Sequence, residues 1–101
     1  MQLLTKDILT KFNQIGSQES NQDPIIIAKF FHPASNWTWY ATEFEPSSRT
    51  FFGFVVGHEE EWGYFSLDEL QSFRDRYWLT IERDIYAGYQ PLSTYLKTAG
   101  C

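Results

Sequence analysis

Cysteine is almost missing from this 101-residue chain: the single one, Cys101, stands at the last position, so no disulfide can form within the chain. A protein without that staple must fold on its hydrophobic core alone, and the usage fits a reducing cytoplasm. Clustered positive charge is missing as well. Eight Lys and Arg face thirteen Asp and Glu, for a net charge of -5, and the cations are scattered from Lys6 to Lys97. A duplex-binding module needs a basic stripe to neutralise phosphates, so direct nucleic-acid binding is disfavoured. The two histidines, His32 and His58, are far apart and neither sits in a metal-ligand spacing. No metal or cofactor is expected. No apolar run approaches the roughly 20 residues of a membrane span. The start, Met1-Gln2-Leu3-Leu4-Thr5-Lys6, lacks a basic segment followed by an apolar one, and the expectation is a cytoplasmic protein. Phosphate-cradling glycine loops are absent too: Gly53, Gly57 and Gly63 are isolated in strand-like sequence, where they suggest close packing or bulges.

What the chain does have is aromatic residues: nine Phe, six Tyr and four Trp. Its length suits one domain, residues 1–101, with one core. Leu4, Ile8, Leu9, Phe12 and Ile15 recur at helical steps, with Thr5 as N-cap and Gly16 as the stop. Strand-like segments follow at Ile25 to Phe31, Asn36 to Glu45, Thr50 to Val56 and Glu61 to Phe65, joined by short turns that favour an antiparallel meander. In the second of these, alternation puts Trp37, Trp39 and Ala41 on one face, and Thr38, Tyr40, Thr42 and Phe44 on the other. Ser66 and Glu69 form a capping box for a helix that turns Leu67, Leu70 and Phe73 inward and carries Arg74 and Arg76 near its end. Tyr77 to Ile85 reads as a fifth strand, with Tyr77, Leu79 and Ile81 on one face. Pro91-Leu92-Ser93 starts a last helical turn through Leu96. The fold class is α+β: an antiparallel sheet of four to five strands, with an N-terminal helix and a second helix after the fourth strand.

Two or three helices in so short a chain can hide one sheet face but not both. Some of Trp37, Trp39, Tyr40, Trp62 and Tyr64 should therefore form an exposed patch, and exposed aromatic patches mark binding surfaces. The competing reading makes each of them a core residue or a cross-strand pair. The acidic run His58-Glu59-Glu60-Glu61 is most simply a solvated turn, since adjacent residues do not converge on one ion. Glu43, Glu45 and Glu61 near tryptophans allow a glycosidase-like reading that needs a concave site and a defined carboxylate separation. A Ser66, His58 and Asp68 grouping lacks a nucleophile elbow, and Ser66 already has a role as a cap.

The motifs Lys29-Phe30-Phe31, Ser35-Asn36-Trp37-Thr38-Trp39-Tyr40 with Glu43, and Glu61-Trp62-Gly63-Tyr64-Phe65-Ser66-Leu67-Asp68-Glu69-Leu70, with Ile81-Glu82-Arg83-Asp84 and Pro91-Leu92, resemble the bacterial domain-of-unknown-function 2958 family over nearly the whole chain. The resemblance implies small proteins of bacterial chromosomes, plasmids and other mobile elements, and no established catalytic residue. It places Asn36, Trp37, Trp39, Glu43, Trp62 and Tyr64 in the family signature. The expectation is a non-enzymatic protein-binding module, such as an acidic inhibitor of a host defence nuclease. It would present Glu43, Glu45 and Glu59, Glu60 and Glu61 to a basic groove, and an exposed aromatic face can also pair with its twin as a homodimer. The rival is a small enzyme or carbohydrate binder with a Trp-lined cleft. The strongest candidates are Trp37, Trp39 and Trp62.

Overall fold

The computed structural model describes the backbone of residues 1–99 and the side chains of residues 1–96; Cys101 lies outside them. Thr5 caps the first helix, α1 (Lys6–Ile15), accepting the Ile8 N–H on its side chain, and Gly16 ends it at φ 68 with its N–H on the Phe12 carbonyl. Four strands then run as a meander: β1 (Ala28–Phe31), β2 (Thr38–Glu45), β3 (Thr50–Val56) and β4 (Glu60–Ser66). Helix α2 (Leu67–Ser72) follows at once, then β5 (Glu82–Arg83) and helix α3 (Leu92–Ala99). The strands form one antiparallel sheet in the order β4-β3-β2-β1-β5. The fold is α+β.

One sheet face, called the front, lies under α1 and α2. Phe51, fully buried, is its hub: the ring meets Phe44 at 4.9 Å, Phe30 at 5.2 Å, Phe65 at 5.4 Å and Phe12 at 5.8 Å between centroids. Leu3, Leu67, Leu70 and Ile81 close this core. The other face, the back, is covered only in part. Leu92, Tyr95 and Leu96 of α3 pack with Ile26, Tyr40, Phe54 and Val56, while Trp62 and Tyr64 of β4 are exposed. Asp23 holds the start of α3, accepting hydrogen bonds from the N–H and hydroxyl of Ser93.

Alternation in β2 does not run straight through. Ala41 pairs with Gly53 and Glu43 with Phe52, so Thr42 is an extra residue and the register slips by one. A bulge of this kind exchanges the faces of everything beyond it. Phe44 consequently joins the front core with Phe51 instead of sharing a face with Tyr40. Two further expectations need correction. The Tyr77 to Ile85 strand shrinks to Glu82–Arg83, because Asp75 folds the preceding residues into a closed turn. Helix α2 stops at Ser72, so Arg74 and Arg76 lie beyond it, and Phe73 is a half-exposed C-cap. The capping box is one-sided: Ser66 accepts the Glu69 N–H, but Ser66 is itself the last ladder residue of β4, opposite Thr50.

Two glycines separate steric need from tolerance. A Cβ at Gly53 would stand 1.9 Å from the Tyr40 carbonyl oxygen, whereas one at Gly63 meets nothing within 4 Å. Gly53→Ala is expected to destabilise the protein by about 3 kcal/mol or more, because backbone has to move. Gly63→Ala should leave the urea midpoint nearly unchanged. Equal midpoints for the two variants would contradict this packing.

Candidate functional site

The bulge also decides where the acids go. Without Thr42 as an extra residue, Glu43 would follow Trp39 and Ala41 onto the front; with it, Glu43 turns to the back beside Phe52. Gln18 makes the bulge possible. Its buried side-chain amide donates to the carbonyls of Thr42 at 2.9 Å and Ile25 at 2.8 Å, and its oxygen accepts the Ile25 N–H at 2.7 Å. The Gln18 backbone N–H reaches the Glu43 carboxylate at 3.3 Å. The Thr42 hydroxyl donates to the Phe52 carbonyl at 3.1 Å. These bonds satisfy backbone groups that the irregular ladder leaves over.

On the back, Phe52, Trp62 and Tyr64 form an open shelf. Phe52 stacks on Trp62 at 5.9 Å with an interplanar angle of 11°, and meets Tyr64 edge-on at 5.0 Å. Trp62 is 44% exposed and Tyr64 79%. The polar loop before β1 rises alongside, making a cleft of about 440 Å³ with the shelf as one wall. Glu19 and Glu43, the amides of Gln18, Asn21 and Gln22, and Pro24 supply the rest. Among the described residues no Lys or Arg lines it.

Trp37 and Trp39 lie on the opposite face. They stack on each other at 5.9 Å and 27°, and both are half-buried, Trp39 against the front core. Trp37 lies so close over Gly57 that a Cβ there would stand 2.3 Å from the indole, and the edge of His58 meets its ring. This pair forms one wall of an apolar cleft of about 470 Å³, completed by His32, Leu70, Phe73 and Ile81, with Ser35 and Glu69 at its polar positions. The tryptophans singled out by sequence thus belong to two clefts. Asn36 is exposed, and its carbonyl accepts from the Thr38 hydroxyl. Glu59, Glu60 and Glu61 are exposed around the start of β4, with Glu60 opposite Val56 and Glu61 opposite Val55, and therefore on alternate faces. Among the described residues no group of three or more His, Cys, Asp or Glu is placed to hold a metal ion. The grouping of Ser66, His58 and Asp68 is not assembled: Ser66 caps α2, Asp68 pairs with Arg49 at 2.9 Å, and His58 packs on Trp37.

Sequence reasoning missed Phe52, Gln18 and Glu19, and it missed the turn at 75–79. Phe52 gave a usable signal, since it shares a face with Phe54 in unbroken alternation. The turn was hidden behind the strand-like alternation of Tyr77, Leu79 and Ile81, although Asp75 closes it locally. Asp75 accepts the Tyr77 and Leu79 N–H groups at 2.8 and 2.9 Å and the His32 Nε2–H at 3.0 Å. The other ring nitrogen of His32 lies 3.3 Å from the Ala34 N, so both ring nitrogens face polar neighbours. Tyr77 and Trp78 are carried outward on the turn, Trp78 at φ 64.

Partial desolvation is the largest influence on the Asp75 carboxyl and raises its pKa. The hydrogen bonds from Leu79, Tyr77 and His32, with the His32 charge, outweigh it together and hold the group below the usual carboxylate range. A depressed folded pKa contributes stability that is present above the unfolded value and lost as pH falls through the folded one. The turn should therefore stay closed at neutral pH and open only in acid. The protection of the Tyr77 and Leu79 amides against hydrogen exchange, taken relative to the unfolded chain at the same pH, is expected to fall there, and in Asp75→Ala to be low already at pH 7. Protection that persists in the variant would show that Asp75 does not close the turn.

A family model described as a protein of unknown function, DUF2958, matches residues 3–101. No curated protein and no solved structure matches the chain significantly. The family match spans both clefts and every strand between them, and the chain belongs to the DUF2958 family.

Proposed function

We propose that this chain is a non-enzymatic protein-binding module, and that the shelf of Phe52, Trp62 and Tyr64 is its recognition surface. The observation that carries the reading is the pairing of exposed aromatic rings, Trp62 and Tyr64, with the carboxylates Glu19 and Glu43 in one cleft. Trp and Tyr dominate the energetics of protein interfaces because they bury much area while freezing few torsions. Ring faces beside Glu19 and Glu43 favour Arg and Lys side chains, which gain a cation–π contact and an ion pair together. The net charge of -5 extends that preference over the molecule and would speed encounter with a basic partner.

A basic groove built for phosphates is one such partner. Glu43 and Glu45 project from the back of β2, and Glu60 from the back of β4, so the open face carries carboxylates in the manner of a phosphate mimic. The mobile elements that the family resemblance implies make a bacterial defence nuclease in the cytoplasm the partner of this reading, with the chain as its inhibitor.

A second reading has its own observation. Trp62 and Glu43 do meet in a concave site with Asn21 and Gln22 amides, which suits a carbohydrate ring as well as an arginine. Salt separates the two. Binding of a basic protein should weaken steeply as salt rises, and binding of a neutral oligosaccharide should not.

Trp62→Ala and Glu43→Gln are expected to fold normally, because Trp62 is exposed and the Gln amide oxygen can still accept the Gln18 N–H. Each should weaken binding of an arginine-rich probe peptide tenfold or more, about 1.4 kcal/mol, in calorimetric titrations at low salt. Trp39→Ala should instead lower the melting temperature, since it removes a ring from the front core. A probe peptide bound equally by wild type and Trp62→Ala would sink the assignment of the shelf. Titration by oligosaccharides alone would transfer the site to the second reading.

A further inference from the structure

The two edges of the sheet are finished differently. β5 is only Glu82–Arg83, too short to template another strand. β4 runs for seven residues, Glu60–Ser66, pairs with β3 without a register slip, and among the described residues has no strand on its outer side. Natural sheets guard such edges with proline, lysine, bulges or very short strands. β4 has no proline, lysine or bulge, and the charges that guard it, Glu60 and Glu61, are confined to one end, leaving Trp62-Gly63-Tyr64-Phe65-Ser66 uncharged.

We infer that the free edge of β4 pairs with the same edge of a second copy of this chain, antiparallel and centred on Gly63. In that register Gly63 faces its own twin, Trp62 lies opposite Tyr64 of the second copy, Glu61 opposite Phe65, and Glu60 opposite Ser66. Three features of the strand select it. First, the aromatic residues pair across the new ladder on the back face, where such pairs stabilise a sheet. Second, the two acidic runs are kept apart along the strands, about 13 Å between the Glu61 twins and about 20 Å between the Glu60 twins at ~3.3 Å per residue, beyond the ~8 Å screening length of physiological salt. Parallel pairing would instead set Glu59, Glu60 and Glu61 directly beside their twins, roughly 4.8 Å away. Third, the position on the axis is a glycine with open space above it, so nothing at the centre obstructs the approach. The contact is isologous, closed and two-fold, and it joins two five-stranded sheets into one. It also makes the two aromatic shelves continuous. It does not rest on what the shelf binds.

The test uses the full chain without any partner. Sedimentation velocity over a concentration series should show a monomer–dimer equilibrium, shifted toward dimer by added salt because each copy carries -5. Gly63→Glu, which sets two carboxylates face to face on the axis, should leave only monomer. In a Cys101→Ser background, Gly63→Cys should form a disulfide-linked dimer under mild oxidation, since opposed Cβ atoms of paired strands lie about 4.5–5.5 Å apart. Glu61→Cys should not, its twin being roughly 13 Å away along the strands. Circular dichroism of each variant checks that the fold is kept. A chain monomeric at every concentration, or a dimer unaffected by Gly63→Glu, overturns the inference. So does equal cross-linking from Gly63→Cys and Glu61→Cys, which would report random collision. Protection of β4 amides only when an arginine-rich peptide is added would assign the edge to a strand of another protein instead.

Discussion

The side-chain amide of Gln18, holding the bulge at Thr42, is the interaction on which the rest of the molecule depends. A buried bulge strands backbone groups, and an unpaired carbonyl inside a protein costs about 1–3 kcal/mol. Gln18 meets that demand at Thr42 while clamping both polar groups of Ile25, so one side chain joins the polar loop, the approach to β1 and the middle of β2. Everything beyond the bulge then changes face. Phe44 enters the core to meet Phe51 and Phe12, and Glu43 leaves it for the aromatic shelf. A regular β2 would bury a carboxylate beneath α1 and set a phenylalanine on the open back. The bulge thus serves packing and site together, and the loop that stabilises it also forms the far wall of the cleft.

Partition of the tryptophans follows from the same strand. Trp37 and Trp39 precede the bulge and stay on the front, where their stack shields Gly57 and borders the core. Trp62 lies on the back because it is registered with Phe54, three strands from Lys29. Helix α3 is eight residues long and begins where Pro24, Gln90 and Asp23 pin it, so its described side chains pack over Ile26, Tyr40, Phe54 and Val56. Exposure of the shelf is therefore a consequence of helix length and anchoring. The front cleft is of another kind: nearly all its walls are residues the core already needs, and its histidine is committed to a turn.

Local chemistry made much of the fold legible in the sequence. Thr5 and Gly16 delimit α1, Thr50 to Val56 matches β3 residue for residue, and Ser66 sets the start of α2, because caps and alternation act over a few residues. Pro91 likewise announced α3. Illegible features were those whose cause lies far away in the chain. Thr42 looks like any strand threonine until Gln18, 24 residues earlier, is placed against it. The segment after α2 alternates well enough for a strand, yet Asp75 closes it on itself and onto His32, 43 residues away. At the site, exposure of an aromatic surface was foreseeable, while its membership was not: the tryptophan motifs look equivalent in sequence and fall on opposite faces.

The acidic run before Trp62 then acquires a reason that neither a metal site nor a featureless turn supplies. Carboxylates at the start of an edge strand repel any strand that would lie parallel to it in register, and leave the remainder of the edge attractive to one that runs the other way. That is an edge filtered by orientation rather than closed. The same carboxylates, alternating between faces, add to the negative field over the shelf on one side and keep the front rim hydrated on the other. Placing aromatic rings on an edge strand has a matching logic. Trp62 and Tyr64 have a covered neighbour, β3, on one side only, so much of each ring stays available, whereas equivalent residues on β2 would be boxed in from both sides. Acidic charge and aromatic surface, two separate peculiarities of the composition, come together on β4 because an edge strand is where each has the most effect on what approaches.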